Sequence, residues 1–308
     1  MAFLRGFGKY LPERVVGNGE MAKLLGVEPA WIREMSGIEE RRFAQANETV
    51  AEMAAAAGAA ALKTSGVAAS DLGLILVSSG SAERRFPGPA SEVQHRLKAP
   101  QAVAMDLPMA SAGALFAMAQ AAMWAPRVGK VLVIAAEKMS TIAMTPPLES
   151  GTAMLFGDGA GACVIDSQSG MARIVDWQLA SDGSSASELR LEFGAPVHMN
   201  GRMVIMHAVR KVPAAITTLL ARNAKAITDV QIFLMHQANA NLLAKIARTL
   251  SVDSHLFYSN IARYGNTSSA SMLIAASEWD GDWAHGGPVV FAAFGAGFHW
   301  GALLVEGA

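Results

Sequence analysis

A serine stands where a strand gives way to a helix in Asp106-Leu-Pro-Met-Ala-Ser111-Ala-Gly-Ala-Leu-Phe. Its small neighbours Ala110, Ala112 and Gly113 permit a tight turn and the close approach of a substrate. A hydroxyl at a helix amino terminus also faces free N–H groups and a dipole that favour developing negative charge. Those are the physical requirements of a nucleophile elbow. Serine is equally a favoured helix cap, and taken alone the segment reads more readily as a cap. Further along, Leu234-Met-His236-Gln-Ala-Asn239 brings a titratable ring to the end of a buried strand, just before a helix that Asn239 would cap. Tyr264-Gly-Asn266-Thr-Ser-Ser-Ala-Ser271 is a Gly-Asn turn feeding a helix of small residues, where the asparagine by itself is a backbone device. Each of the three is ordinary. Together, in this order, a hydroxyl, an imidazole and a carboxamide make a set more specific than any one of them.

Elements must bring these groups together. Apolar runs of strand length alternate with helical periodicity, the pattern of an α/β protein with buried sheets. Strands are predicted at 2–7, 73–79, 102–106, 130–137, 153–166, 172–180, 231–236, 288–294 and 298–305. Helices are predicted at 18–25, with Asn18 as cap and Gly26 as stop, and at 49–64, 88–97, 111–125, 202–223, 240–250 and 268–278. The chain echoes itself. The run Asp71–Ser81 has the layout of Asp229–Asn239, and Phe156-Gly-Asp-Gly-Ala-Gly that of Phe294-Gly-Ala-Gly-Phe. Two echoes in one order point to a duplicated α/β architecture with its site between the halves, where strand ends meet.

Composition narrows the classes. Of 308 residues 52% are hydrophobic and 17% charged, which excludes disorder. Lys and Arg number 25 against 26 Asp and Glu, so no basic excess is present to neutralise the phosphates of a nucleic acid. Cys163 is the single cysteine, placed for core packing and unable to form an internal disulfide, and no Cys/His cluster has metal-binding spacing. No secretory leader and no uncharged apolar stretch of membrane-helix character is apparent. A soluble cytoplasmic protein is expected.

The ordered blocks Ala110-Ser111-Ala-Gly113, His236-Gln-Ala-Asn239 and Gly265-Asn266-Thr-Ser-Ser-Ala-Ser271, with Phe156-Gly-Asp-Gly-Ala-Gly and Phe294-Gly-Ala-Gly-Phe-His-Trp-Gly-Ala, resemble the thiolase superfamily. More narrowly they are similar to its β-ketoacyl-acyl carrier protein synthase III branch. The resemblance runs from Gly6-Phe-Gly-Lys-Tyr-Leu-Pro through Trp31-Ile-Arg-Glu-Met-Ser-Gly37 and Arg85-Phe-Pro-Gly-Pro-Ala to Trp300-Gly-Ala. It implies a duplicated five-layer αβαβα fold, with the nucleophile in a half spanning 1–168 and the histidine and asparagine in a half spanning 169–308. It implies a homodimer that works on acyl-CoA or acyl carrier protein thioesters and holds no metal or resident cofactor. An acyl group would pass to residue 111 and then condense, with decarboxylation, onto a malonyl thioester held by His236 and Asn266. Backbone N–H groups of Ser111 and Ala296, the latter beside Gly295, would form the oxyanion hole. Trp31 would wall the pantetheine or adenine entrance, Asn239 would hydrogen-bond in the tunnel, and Phe86 would shape the acyl pocket across the dimer interface.

Three positions depart from the family pattern. Its nucleophile is normally cysteine, and here residue 111 is serine, which needs a base such as His236 to take its proton. A natural oxygen nucleophile, a Cys-to-Ser variant and a degenerate partner subunit all remain open, as does a serine-dependent hydrolase or ester-forming transferase. Arginines that the family places on the carrier are replaced by Ser150 and Asn241. The segment 189–198 is short for the corresponding loop, which would open the entrance.

Overall fold

Val131-Leu-Val-Ile134 is apolar on both faces, as a strand covered on both sides must be. In the computed structural model, which describes residues 1–192 and 194–308, it lies inside a nine-stranded sheet. The strands along the described residues are β1 Phe3–Tyr10, β2 Arg14–Gly17, β3 Glu40–Phe43, β4 Leu72–Ser78, β5 Val103–Leu107, β6 Lys130–Lys138 and β7 Asp158–Asp166. They continue with β8 Ala172–Ser181, β9 Leu189–Arg190, β10 His198–Met199, β11 Ile232–Met235, β12 Val289–Gly295 and β13 His299–Gly307. The large sheet runs β11-β12-β13-β8-β1-β7-β6-β4-β5, while β2-β3 and β9-β10 form small pairs. β1 and β8 meet only at Phe3↔Arg173 and Leu4↔Ala172, so the sheet is two sheets joined at a narrow seam. The echoing segments occupy corresponding places: β4 and β11 lie parallel to a neighbour, and β7 and β13 return antiparallel.

Strand periodicity sorts the side chains into layers, because successive residues point to opposite faces. Ile75, Val77, Leu132 and Ile134 face the helices Val50–Ser65 and Pro89–Arg96. Leu74, Leu76, Val131 and Val133 face the helices Gly113–Val128 and Ser271–Glu278, which also cover Phe291 and Ala293 of β12. Val290 and Ala292 face the helices Gly201–Arg222 and Ala240–Leu250. The result is helix, sheet, helix, sheet, helix: the thiolase-like five-layer arrangement. Each fully buried Leu or Phe in these layers contributes roughly 1.5–3 kcal/mol.

Several expectations are corrected. Ser111 does not cap its helix, which begins at Gly113 with Ala112 in the cap position and no side-chain cap bond. The strand predicted over 153–166 begins only at Asp158, after a short helix Ser150–Ala153, because Phe156 bridges instead to Asn266. Asn18 is not the cap of its helix either. Gly17 holds that place, and the Asn18 side chain donates to Ile38 O at 2.6 Å and accepts from Arg41 at 2.9 Å. The charged pair β2-β3 and the helix Pro29–Ser36 carry too little apolar patterning to be foreseen. Helix Gly201–Arg222 is long and apolar enough by composition to cross a membrane, yet it buries Ala208, Val212, Ile216 and Leu219 in the core. Cys163 lies buried between β1 and β6, where burial pushes its thiol far above the ordinary range and leaves it inert.

Candidate active site

The C-terminal ends of the parallel strands β5, β11 and β12 converge, and the crevice there is where an α/β sheet binds ligands. Ser111 follows β5 in a three-residue turn closed by Ala112 N–H donating to Ala110 O at 2.7 Å. Its φ of +60° is the left-handed conformation, which costs a non-glycine residue of order 1–3 kcal/mol and persists only where the surroundings enforce it. The enforcement is visible. The Ser111 N–H donates to Ser268 Oγ at 3.0 Å. Gly295 is pressed onto the turn so closely that a Cβ there would stand 2.6 Å from Ala110 O and 2.8 Å from Ala112 N.

His236 leaves β11 buried, its Nδ1 2.7 Å from Ser271 Oγ. That hydroxyl also accepts from Gln237 N–H at 3.0 Å and lies 3.0 Å from Ser268 O. A hydroxyl can donate to or accept from a ring nitrogen, so Ser271 can support either neutral tautomer of His236. Burial pushes the imidazole down to about 4, so it is neutral at physiological pH. Two outcomes are expected. Between the ordinary value of about 6.5 and the folded value, only the unfolded chain takes up the proton, so stability falls as pH is lowered across that window and is level above it. Melting temperatures at pH 7.5 and 5 check this, with His236→Gln reducing the difference. The kcat/KM profile should likewise lack an inflection from this group near neutrality.

Asn266 is oriented by Ser268 N–H, which donates to its Oδ1 at 2.8 Å. The amide Nδ2 therefore faces outward as a donor, and among the described residues it makes no hydrogen bond. One cavity is lined by Ser111, His236, Asn266, Gly295 and Ala296, with apolar walls that include Leu155, Phe156, Val204, Ile205 and Leu242. A polar cluster at the base of an apolar tunnel suits a thioester bearing a hydrocarbon chain.

The other expected residues lie around or outside this cavity. Asn239 borders the cavity, but its Oδ1 caps helix Ala240–Leu250 through Asn241 N–H (2.8 Å), and its Nδ2 donates to Met35 O (2.9 Å). Asn241 donates to Glu34 O at 2.9 Å, so both asparagines fasten this helix to Pro29–Ser36. Trp31, on that shorter helix, packs half-buried beside the cluster of Met21 and Ile32, and it does not line the cavity. Phe86 is 85% exposed and also stands apart from it. In the segment 189–198, Leu189, Arg190, Leu191 and Val197 line the cavity, while Phe193 lies outside the described residues. Ser268 and Ser271 were not foreseen as functional. The hydroxyl-rich run after Asn266 was the available signal.

The comparisons with known proteins bear directly on this geometry. Residues 105–183 match the model described as 3-oxoacyl-[acyl-carrier-protein (ACP)] synthase III, and residues 220–306 match that of its C-terminal part. The beta-ketoacyl-[acyl-carrier-protein] synthase III 1 of Halalkalibacterium halodurans is 37% identical over 309 residues, covering 99% of this chain and 98% of its own. The chain belongs to the 3-oxoacyl-[acyl-carrier-protein] synthase III family. It is an acyltransferase on a thiolase-like fold.

The crystal structure of a synthase III from Aquifex aeolicus VF5 superposes with a TM-score of 0.94 at 32% identity, covering 99% of this chain and 100% of that one. The priming β-ketosynthase of the R1128 polyketide biosynthetic pathway superposes at 0.90 with 29% identity, covering 100% and 96%. In this synthase III chain the first matched block holds β5, Ser111 and the helix behind it, and the second holds His236, Asn266, Gly295 and Ala296. Each block supplies one side of the cavity.

Proposed function

We propose that this chain is a condensing ketosynthase that uses Ser111 where its family expects cysteine. An acyl group passes from a CoA or acyl carrier protein thioester to Ser111 Oγ. His236 Nε2 takes the hydroxyl proton and returns it to the departing thiol. The acyl oxyanion is met by N–H groups of Ser111 and Ala296. A malonyl thioester then binds with its carbonyl oxygen toward Asn266 Nδ2 and His236. Loss of carbon dioxide leaves an enolate whose carbon attacks the Ser111 ester, so that a carbon–carbon bond forms, the Oγ–acyl bond breaks and the Ser111 oxygen takes up one proton from solvent by way of His236. The product is a β-ketoacyl thioester, of use in fatty-acid or polyketide assembly, and no cofactor enters the scheme. The observation that carries this reading is the single cavity joining Ser111, His236, Asn266 and Ala296. The test is incubation with acyl-CoA and malonyl–acyl carrier protein, with carbon dioxide and the extended product measured. An ester on Ser111 that is released to water or an alcohol without carbon dioxide would instead identify a serine-dependent acyl hydrolase or ester-forming transferase.

Delivery by carrier protein is favoured over free CoA, since Ser150 and Asn241 replace the cations the family places on the carrier. Arg33, Arg84 and Lys211 are each paired with a carboxylate, Glu39, Glu92 and Asp182. The chain is read as halves 1–168 and 169–308, working in the cytoplasm with its one cysteine buried and reduced.

A homodimer completes the proposal. β5 is the sheet edge, with Val103 57% and Met105 40% exposed beside Phe86, and such an edge invites pairing with a second copy. Pairing about a two-fold axis would carry each Phe86 toward its partner. Light scattering is expected to give twice the chain mass, and charged substitutions at Val103 and Met105 are expected to yield monomer. A monomeric wild type would remove this part of the reading.

A further inference from the structure

Glu137 ends β6 with no solvent exposure, and the scheme above does not use it. No cation balances it: it makes no ion pair among the described residues, and the neighbouring Lys138 ammonium turns away to the carbonyls of Gln45 and Glu48. Its carboxylate instead gathers neutral donors from two segments. Oε2 accepts from Gly80 N–H at 3.0 Å and Ser81 Oγ at 2.5 Å. Oε1 accepts from Ser269 Oγ at 2.6 Å and Ser269 N–H at 3.3 Å. Ser269 thus gives the carboxylate both its hydroxyl and its N–H, and Ser268 is the residue before it in the chain.

Both segments touch the nucleophile's turn. Ser268 Oγ receives the Ser111 N–H, and the adjoining Ser269 is held by Glu137 through both its hydroxyl and its N–H. Gly80 abuts the turn from the other side, where a Cβ would stand 2.9 Å from Ala110 Cβ. Ser111 and Ser268 both hold left-handed backbone, at φ +60° and +47°, so two strained residues face each other across this bond. Such conformations last only under clamping from outside, and the carboxylate is common to both clamps.

We infer that Glu137 is a positioning residue for acylation, holding the backbone N–H of Ser111 through Ser269 and the adjoining Ser268, and the wall against Ala110 through Gly80 and Ser81. The inference rests on the reading of Ser111 as the acylated residue. Glutamine cannot replace the carboxylate. Each oxygen faces a backbone N–H, Gly80 on one side and Ser269 on the other, so the amide nitrogen must oppose one of them whichever way it turns. The incoming acyl oxygen shares the Ser111 N–H with Ser268 in a three-centre bond, and a turn that drifts loses that alignment.

The experiment compares wild type, Glu137→Gln, Ser268→Ala and the double variant by single-turnover acylation, read as intact mass. Hydrogen exchange of the peptide containing Ser111 is followed alongside. Glu137→Gln is expected to slow acylation roughly 10- to 100-fold while KM for the acyl donor stays within about twofold, and to speed exchange at Ser111. The double variant should be little worse than either single one, since both break the same link. Wild-type rates in a folded Glu137→Gln, unchanged exchange, or losses that simply multiply would each overturn the inference. Should Glu137→Gln fail to fold, Ser268→Ala decides: it leaves Glu137 the donors from Gly80, Ser81 and Ser269, and full activity with unchanged exchange would overturn the role. If the wild type takes no acyl group at Ser111, it is the proposed function that fails, and the exchange comparison still decides the role of Glu137.

Discussion

Ser111→Cys is expected to acylate at least about 100-fold faster than the native chain, by the contrast between thiolate and hydroxyl nucleophiles. A free thiol has a pKa near 8.5, and a helix amino terminus lowers it further. Residue 111 sits just ahead of a 16-residue helix, so a cysteine there gains directly. The Ser111 hydroxyl has no such route, and in the proposed scheme it relies on His236, whose ring burial holds at about 4 and which is a weak base accordingly. Single-turnover mass spectrometry with an acyl-CoA gives the rate, and peptide mapping places the adduct. Ser111→Ala should give no adduct. If the cysteine form is no faster, the helix terminus is not activating this position. If Ser111→Ala still acquires an acyl group, the nucleophile lies elsewhere.

Asn266→Asp carries the second large effect, a loss of condensation of roughly 10²–10³-fold or more, the magnitude found when one oxyanion donor is removed. Aspartate keeps the oxygen that accepts from Ser268 N–H and so preserves the local turn. It removes the Nδ2 donor and puts negative charge where the enolate develops. Acylation of Ser111 uses other donors and should change only a fewfold. The two rates are separated by measuring the adduct without malonyl thioester and carbon dioxide release with it. His236→Ala should slow both, since its ring is asked to serve both steps. Equal losses of acylation and condensation in Asn266→Asp would show a general disturbance of the site and remove Asn266 from the condensation step.

Ser111, His236 and Asn266 stood out only as an ordered set: Ala-Ser-Ala-Gly permits a tight turn and Gly-Asn can leave a helix path without strain, but each block alone reads as a cap or a turn. The alternation of Leu74, Ile75, Leu76 and Val77 likewise foretold a strand buried on both faces. Legibility ended where an assignment depended on a distant partner. Ser111 read by itself was a helix cap, and only the contacts from Ser268 and Gly295 hold it in a left-handed turn instead. Asn239 read as a tunnel group, but the neighbouring helix Pro29–Ser36 captures its amide.

Glu137 is the clearest case of this boundary. In the chain it follows an apolar run and invites the assumption that it points to water, whereas packing of the two sheets leaves it fully enclosed amid serines from residues 79–81 and 268–269. Local chemistry and periodicity are written in neighbouring residues, so much of the secondary structure and the layer pattern could be read directly. Which donor meets which acceptor across more than a hundred residues depends on how layers stack, and no local preference encodes that. The strained nucleophile, the neutral histidine and the buried carboxylate behind them therefore emerge only once the chain is folded.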